Sequence, residues 1–179
     1  AIKIDEIKDR AKELKIKSLG LCDTSNLCGA VEFSDKLSKI GTQPIIGTQI
    51  NFKFQDTTGL LPLFALNKDG YKKIIELSSK SYLDNEDTSE PYLDINDLLK
   101  LKTNGISIFS GTISGLFGKL FDKGKFAEIN NLYKDLKKIF GDKFYIEIQR
   151  HNDLNEDLFE KFNLDQSKKL EISIIATIE

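Results

Sequence analysis

An apolar run that stops on a carboxylate, then an amphipathic stretch, then a second apolar run confine Leu19 to Ile50 to a strand, a helix and a strand. Leu19-Gly20-Leu21-Cys22 leads into Asp23. The turn formers Thr24, Ser25 and Asn26 follow, and Leu27, Ala30, Val31, Leu37 and Ile40 then recur at helical spacing. Ser25 or Asn26 is the predicted N-cap, and Gly41 is the predicted left-handed residue that closes the helix. Pro44-Ile45-Ile46 opens the second strand. Strands joined in this way run parallel, and α/β proteins keep their chemistry at the ends of such strands. Asp23 is thereby carried to a strand tip.

The alternation continues along the chain. Ile4, Ile7, Ala11 and Leu14 predict a helix over 4–15, followed by a strand over Ser18 to Cys22. Ile45 to Phe54 and Leu60 to Leu66 read as strands separated by a turn at Asp56-Thr57-Thr58-Gly59, with Pro62 favouring an edge or an irregular start. Asn67 caps a helix whose Tyr71, Ile74, Ile75 and Ser78 share a face. A short helix over 95–101, a strand from Gly105 to Phe109 and a helix from Phe126 to Ile139 ended by Gly141 come next. Phe144 to Gln149 is a strand that partly alternates apolar and polar residues and ends at Arg150-His151-Asn152. A helix over 156–170 and a strand from Ile172 to Thr177 complete the series. About six strands alternating with helices predict a parallel α/β architecture in one domain. The acidic stretch 83–93 reads as a surface loop. Gly111 to Gly118 lacks the Lys-Ser/Thr ending of a phosphate-binding loop and reads as a plain lead into a helix.

Bulk properties narrow the class. A chain of 179 residues with 40% hydrophobic and 30% charged residues can bury a core. A net charge of −2 argues against an isolated nucleic-acid-binding module, which would carry a basic excess. No apolar run reaches the ~18 residues a membrane-spanning helix needs, so a cytoplasmic protein with no membrane partner is expected. The spacing of Cys22 and Cys28 fits neither a zinc knuckle nor a redox pair, and two reduced, buried thiols are expected.

Ordered motifs over nearly the whole chain are similar to those of the polymerase-and-histidinol-phosphatase (PHP) domain at the N-terminus of bacterial DNA polymerase III alpha subunits. Leu21-Cys22-Asp23-Thr24-Ser25-Asn26-Leu27-Cys28-Gly29-Ala30-Val31-Glu32-Phe33 resembles the family's L-T-D-H-G-N-M-F-G-A-V-E-F, and Pro44 to Gln49 resembles P-I-I-G-x-E. Leu63 to Tyr71 is similar to L-L-A-x-N-x-x-G-Y, and Leu77 to Tyr82 to L-S-S-x-A-Y. Ile108 to Gly111 matches A-L-S-G, Phe144 to His151 matches F-Y-L-E-L-Q-x-H, and Ala176-Thr177 matches the start of A-T-N-D.

The resemblance implies a distorted seven-stranded (β/α) barrel, incomplete in this chain, lacking a first strand with its His-x-His and a closing segment. It implies one PHP domain over 1–179, with the polymerase palm, fingers and thumb absent. Relatives that hold two or three metals need a crowd of ligands at the strand tips. Here Thr24 stands where the family has histidine, Gln49 stands where it has an acid, and the chain has one histidine. Asp23 and His151 keep liganding types at matching positions, as remnants of a degenerate metal site, and Glu179 is a weak counterpart of a further Asp. No catalytic residue and no cofactor are expected in this fragment, the Mg²⁺ of DNA synthesis belonging to the palm. The resemblance implies a scaffold that docks the proofreading exonuclease (epsilon) subunit within the replicative polymerase, with DNA reached through the parent subunit. The alternative is a metal-dependent phosphoesterase or proofreading nuclease, in which metals activate water.

Overall fold

The twelve-residue strand β2 (Gln43–Phe54) has neighbours on both sides and organises the sheet. In the computed structural model, which describes residues 3–85, 90–101 and 105–177, strand β1 (Ser18–Thr24) pairs in parallel with the first half of β2. Strand β4 (Tyr92–Asp94) pairs in parallel with Asn51 to Lys53, further along β2. Strand β3 (Thr57–Ala65) runs antiparallel to β2, and β5 (Ile106–Phe109) runs antiparallel to β3. Strands β6 (Phe144–Ile148) and β7 (Ser173–Ala176) continue in parallel from β5. The mixed sheet curls into an open half-barrel of order β1-β2-β3-β5-β6-β7, with β4 off that path.

The direction of β3 departs from the all-parallel expectation. Phe54 pairs with Thr57, which leaves Gln55 and Asp56 as a two-residue turn. A parallel strand needs a crossover of a dozen or more residues, so a two-residue link can only make a hairpin. Gln55 sits at φ +54, as such turns demand. Thr57, Thr58 and Gly59, read above as turn, are therefore strand. Pro62 lies within β3, opposite Gln49. The Ser25 N–H donates to Gln49 O, so the backbone of Gln49 faces β1, and the missing N–H of Pro62 costs no bond to β2.

Helices α1 (Ile4–Glu13) and α2 (Ala30–Ser38) cover the β1 end. Ala11, Phe33 and Leu37 are fully buried there, with Ile4, Ile7, Leu19, Leu21 and Ile46 packed against them. Gly41, at φ +78, follows the last turn of α2 in the expected left-handed geometry. Val31, read as part of the apolar face of α2, is 77% exposed, because the buried line of the helix runs through Ala30, Phe33 and Leu37 and leaves position 31 outside it.

Helix α3 (Lys68–Leu83) is capped by Asn67, whose Oδ1 accepts from the Gly70 N–H at 2.9 Å. Its buried line runs through Gly70, Ile74, Leu77 and Ser81, while Ile75 faces outward. Gly70 lies against Gly105 so closely that a Cβ on either would strike the other's backbone. Tyr92 and Leu93 of the acidic stretch form β4, while residues 86–89 lie outside the described residues. Helices α4 (Ile95–Leu99), α5 (Leu116–Asp122), α6 (Phe126–Phe140) and α7 (Glu156–Leu170) complete the set. The larger core joins Phe52, Leu61, Leu63 and Ile108 of the sheet to Phe117, Tyr133 and Phe159 of these helices.

Candidate functional site

Every strand but β3 points the same way, so the C-terminal ends of β1, β2, β5, β6 and β7 share one rim. At the β1 end of that rim, Asp23 Oδ2 accepts from the Gly29 N–H at 3.1 Å, and Thr48 Oγ1 donates to Asp23 O at 2.8 Å. Thr24 and Gln49 are register partners at the close of the β1–β2 ladder. Helix α2 does not begin at Ser25 or Asn26. Asn26 Oδ1 accepts from the Cys28 N–H and Asn26 Nδ2 donates to Thr24 O, both at 2.9 Å. These bonds make a turn, Ser25 takes φ +59, and the helix starts at Ala30. The turn also brings Cys28 to the surface while Cys22 is half-buried, which corrects the expectation of two buried thiols.

The β5-β6-β7 side carries a buried polar network. Ser110 is fully buried, and its Oγ accepts from the Glu147 N–H at 2.9 Å, joining β5 to β6. The Glu147 carboxylate accepts from Gln149 Nε2 at 3.2 Å and from the Thr177 hydroxyl. Gln149 Nε2 also donates to Thr177 Oγ1 at 2.8 Å, and Gln149 Oε1 lies 3.1 Å from His151 Nε2. Glu147, on β6, and Gln149, the first residue past it, are two apart in extended chain and are both buried on the same side. That period was readable in Phe144 to Gln149. Ser110 carried no such signal, because its partner is 37 positions away.

His151 is exposed and follows β6. Its position is fixed less by its ring than by Glu156, whose carboxylate accepts from the N–H groups of His151 (3.0 and 2.9 Å) and Asn152 (2.8 Å). Those backbone donors, that of His151 foremost, hold the Glu156 carboxyl below its ordinary value of 4.5 against the opposing effect of burial. A lowered folded value means that the unfolded chain takes up the proton first as acid is added. The stabilisation is thus complete above about pH 4.5 and disappears as pH falls through the folded value. Glu156→Gln should make stability fall less steeply over that acid range, as read by circular dichroism during acid titration; an unchanged slope would remove the loop-clamping role. Arg150, at the start of the same loop, grips Glu160 of α7 through two bonds, at 3.0 and 2.8 Å.

A profile of the PHP domain matches residues 1–151. The chain belongs to the PHP domain family. Among similar proteins, the DNA polymerase III subunit alpha of Caulobacter vibrioides is 36% identical over 159 residues, covering 84% of this chain and 14% of that protein. The subunit alpha of Borreliella burgdorferi is 33% identical over 187 residues, covering 98% of this chain and 16% of the relative. The chain thus spans about one-seventh of the length of these relatives. A crystal structure of a candidate metal-dependent phosphoesterase from Bifidobacterium adolescentis matches with a TM-score of 0.47 and 11% identity, over 98% of this chain and 81% of that one.

Among the described residues, no group of three His, Cys, Asp or Glu side chains stands close enough to hold one ion. Asp23 lies on β1 and His151 just past β6, with β2, β3 and β5 between those strands in the sheet, and each has its own local partner. Ile178 and Glu179 lie outside the described residues. Among the described residues, no helix is long and apolar enough to cross a membrane.

Proposed function

We propose that this PHP domain is a non-catalytic scaffold of a replicative bacterial DNA polymerase alpha subunit and docks the proofreading exonuclease subunit. In this reading the whole subunit performs template-directed DNA synthesis in the cytoplasm, using Mg²⁺ held by palm carboxylates outside this domain. Contact with DNA is made through the parent subunit.

The observation that supports the scaffold reading most directly is the Thr24–Gln49 pair at the close of the β1–β2 ladder. Two adjacent rim positions that would carry a histidine and an acid in a metal-holding relative carry a hydroxyl and an amide. Neutral oxygens of this kind offset the loss of a metal's water far less well than imidazole or carboxylate. The neighbouring Asp23 carboxylate is engaged with the helix-opening N–H of Gly29.

Two measurements test the reading. After incubation with Zn²⁺ and Mn²⁺ and removal of free ions, the purified domain should retain well under one ion per chain. Near-stoichiometric retention of two or more would overturn the non-catalytic role. Titration with the exonuclease subunit should give a saturable curve, and a flat response up to tens of micromolar would remove the docking role.

A further inference from the structure

The side chain of Asn163 is 1% exposed, and its Oδ1 accepts from the Tyr133 hydroxyl at 2.9 Å. Its Nδ2 finds no acceptor within the protein. A buried amide N–H left so is a cost that folded proteins seldom carry, and ordered water commonly removes it. Asn163 lines a narrow crevice between α7 and β6, together with Thr112, Glu147, Gln149, Glu156 and Phe159. The crevice has room for about one water molecule.

The chemistry of the lining selects the occupant. An apolar group would leave the amide N–H unmet. A cation would face that N–H directly, and an anion would face the carboxylates of Glu147 and Glu156. A water molecule both accepts and donates. A carboxylate offers about four lone-pair positions, and Glu147 lines the crevice beside Asn163. We infer that one ordered water is a fixed part of this crevice, accepting from Asn163 Nδ2 and donating to the Glu147 carboxylate. It ties α7 to the polar network at the rim. Turning the amide over would exchange donor for acceptor at the same end, and water would still satisfy it.

The test compares long-lived internal water in the full chain and in Asn163→Leu, using oxygen-17 magnetic relaxation dispersion. Wild-type protein should show one more such molecule than the variant. Equal counts would overturn the inference. A high-resolution crystal structure of the unaltered chain decides the matter independently, including the case in which the variant fails to fold. Density for a water within hydrogen-bond distance of the Asn163 side-chain amide supports the assignment. A crevice that is dry, or closed by a side chain, refutes it.

Discussion

Gly70→Ala should destabilise the domain by about 3 kcal/mol or more, a severe overpacking effect. A Cβ built on Gly70 would lie 1.7 Å from Gly105 O, and one built on Gly105 would lie 2.5 Å from Asn67 Oδ1 and 2.6 Å from Gly70 N. The obstacles are mostly backbone, so no side-chain rotation relieves them. Helix α3 would have to lift from the entrance to β5, where the Leu66 N–H also donates to Gly105 O at 2.8 Å. Loss of the cap alone, in Asn67→Ala, should cost only about 1 kcal/mol. The exposed control Ser79→Ala should stay within about 0.5 kcal/mol of wild type. Urea denaturation of the three variants checks the order. A Gly70→Ala protein as stable as the Ser79→Ala control would show that the two segments are not in contact.

Tyr133→Ala should cost about 3–5 kcal/mol, the range for deleting a buried aromatic side chain. The ring is fully buried, with Phe117 at 4.6 Å and Phe144 at 5.5 Å between centroids, so its removal opens a cavity where α5, α6 and β6 meet. Tyr133→Phe keeps that packing and removes only the hydroxyl that donates to Asn163, and should cost about 1–2 kcal/mol. The hydroxyl also sets an alkaline limit. Burial pushes its pKa up from the ordinary 10.0. Above pH 10 the unfolded chain therefore loses this proton first, and stability falls as pH rises through the range up to the folded value. Tyr133→Phe should fall less steeply there. If both variants cost the same, the ring does not fill the space described.

Most elements were legible because each strand or helix carries its own period. Of the apolar residues at helical spacing in α6, Ile129, Leu132, Tyr133 and Leu136 are buried, Ile139 is partly buried, and Phe126 in the first turn is exposed. Two features resisted reading for a physical reason. The direction of β3 depends on how many residues the turn takes, and Thr57 and Thr58 favour strands while sitting beside turn formers. Strand β4 owes its existence to pairing with β2 rather than to any pattern within Tyr92-Leu93-Asp94. For the site, Asp23 was legible at its strand tip and His151 just past one, since both follow apolar runs. The links from Ser110 to Glu147 and from Tyr133 to Asn163 bridge 37 and 30 positions, and only folding brings those partners together.

Strands β2 and β3 do not stop level with their neighbours. Beyond Gln49, the last residue matched to β1, β2 runs on to Phe54, which at ~3.3 Å per residue adds about 17 Å. This prolongation is no loose flap: Phe52 and Leu61 are fully buried, and Lys123 and Lys125 hold Asp56 at its tip. The mouth of the half-barrel consequently has a built-in parapet on one flank. The strand tips on that flank are therefore not level with the end of β1, and the step between them is set by buried side chains rather than by a movable loop.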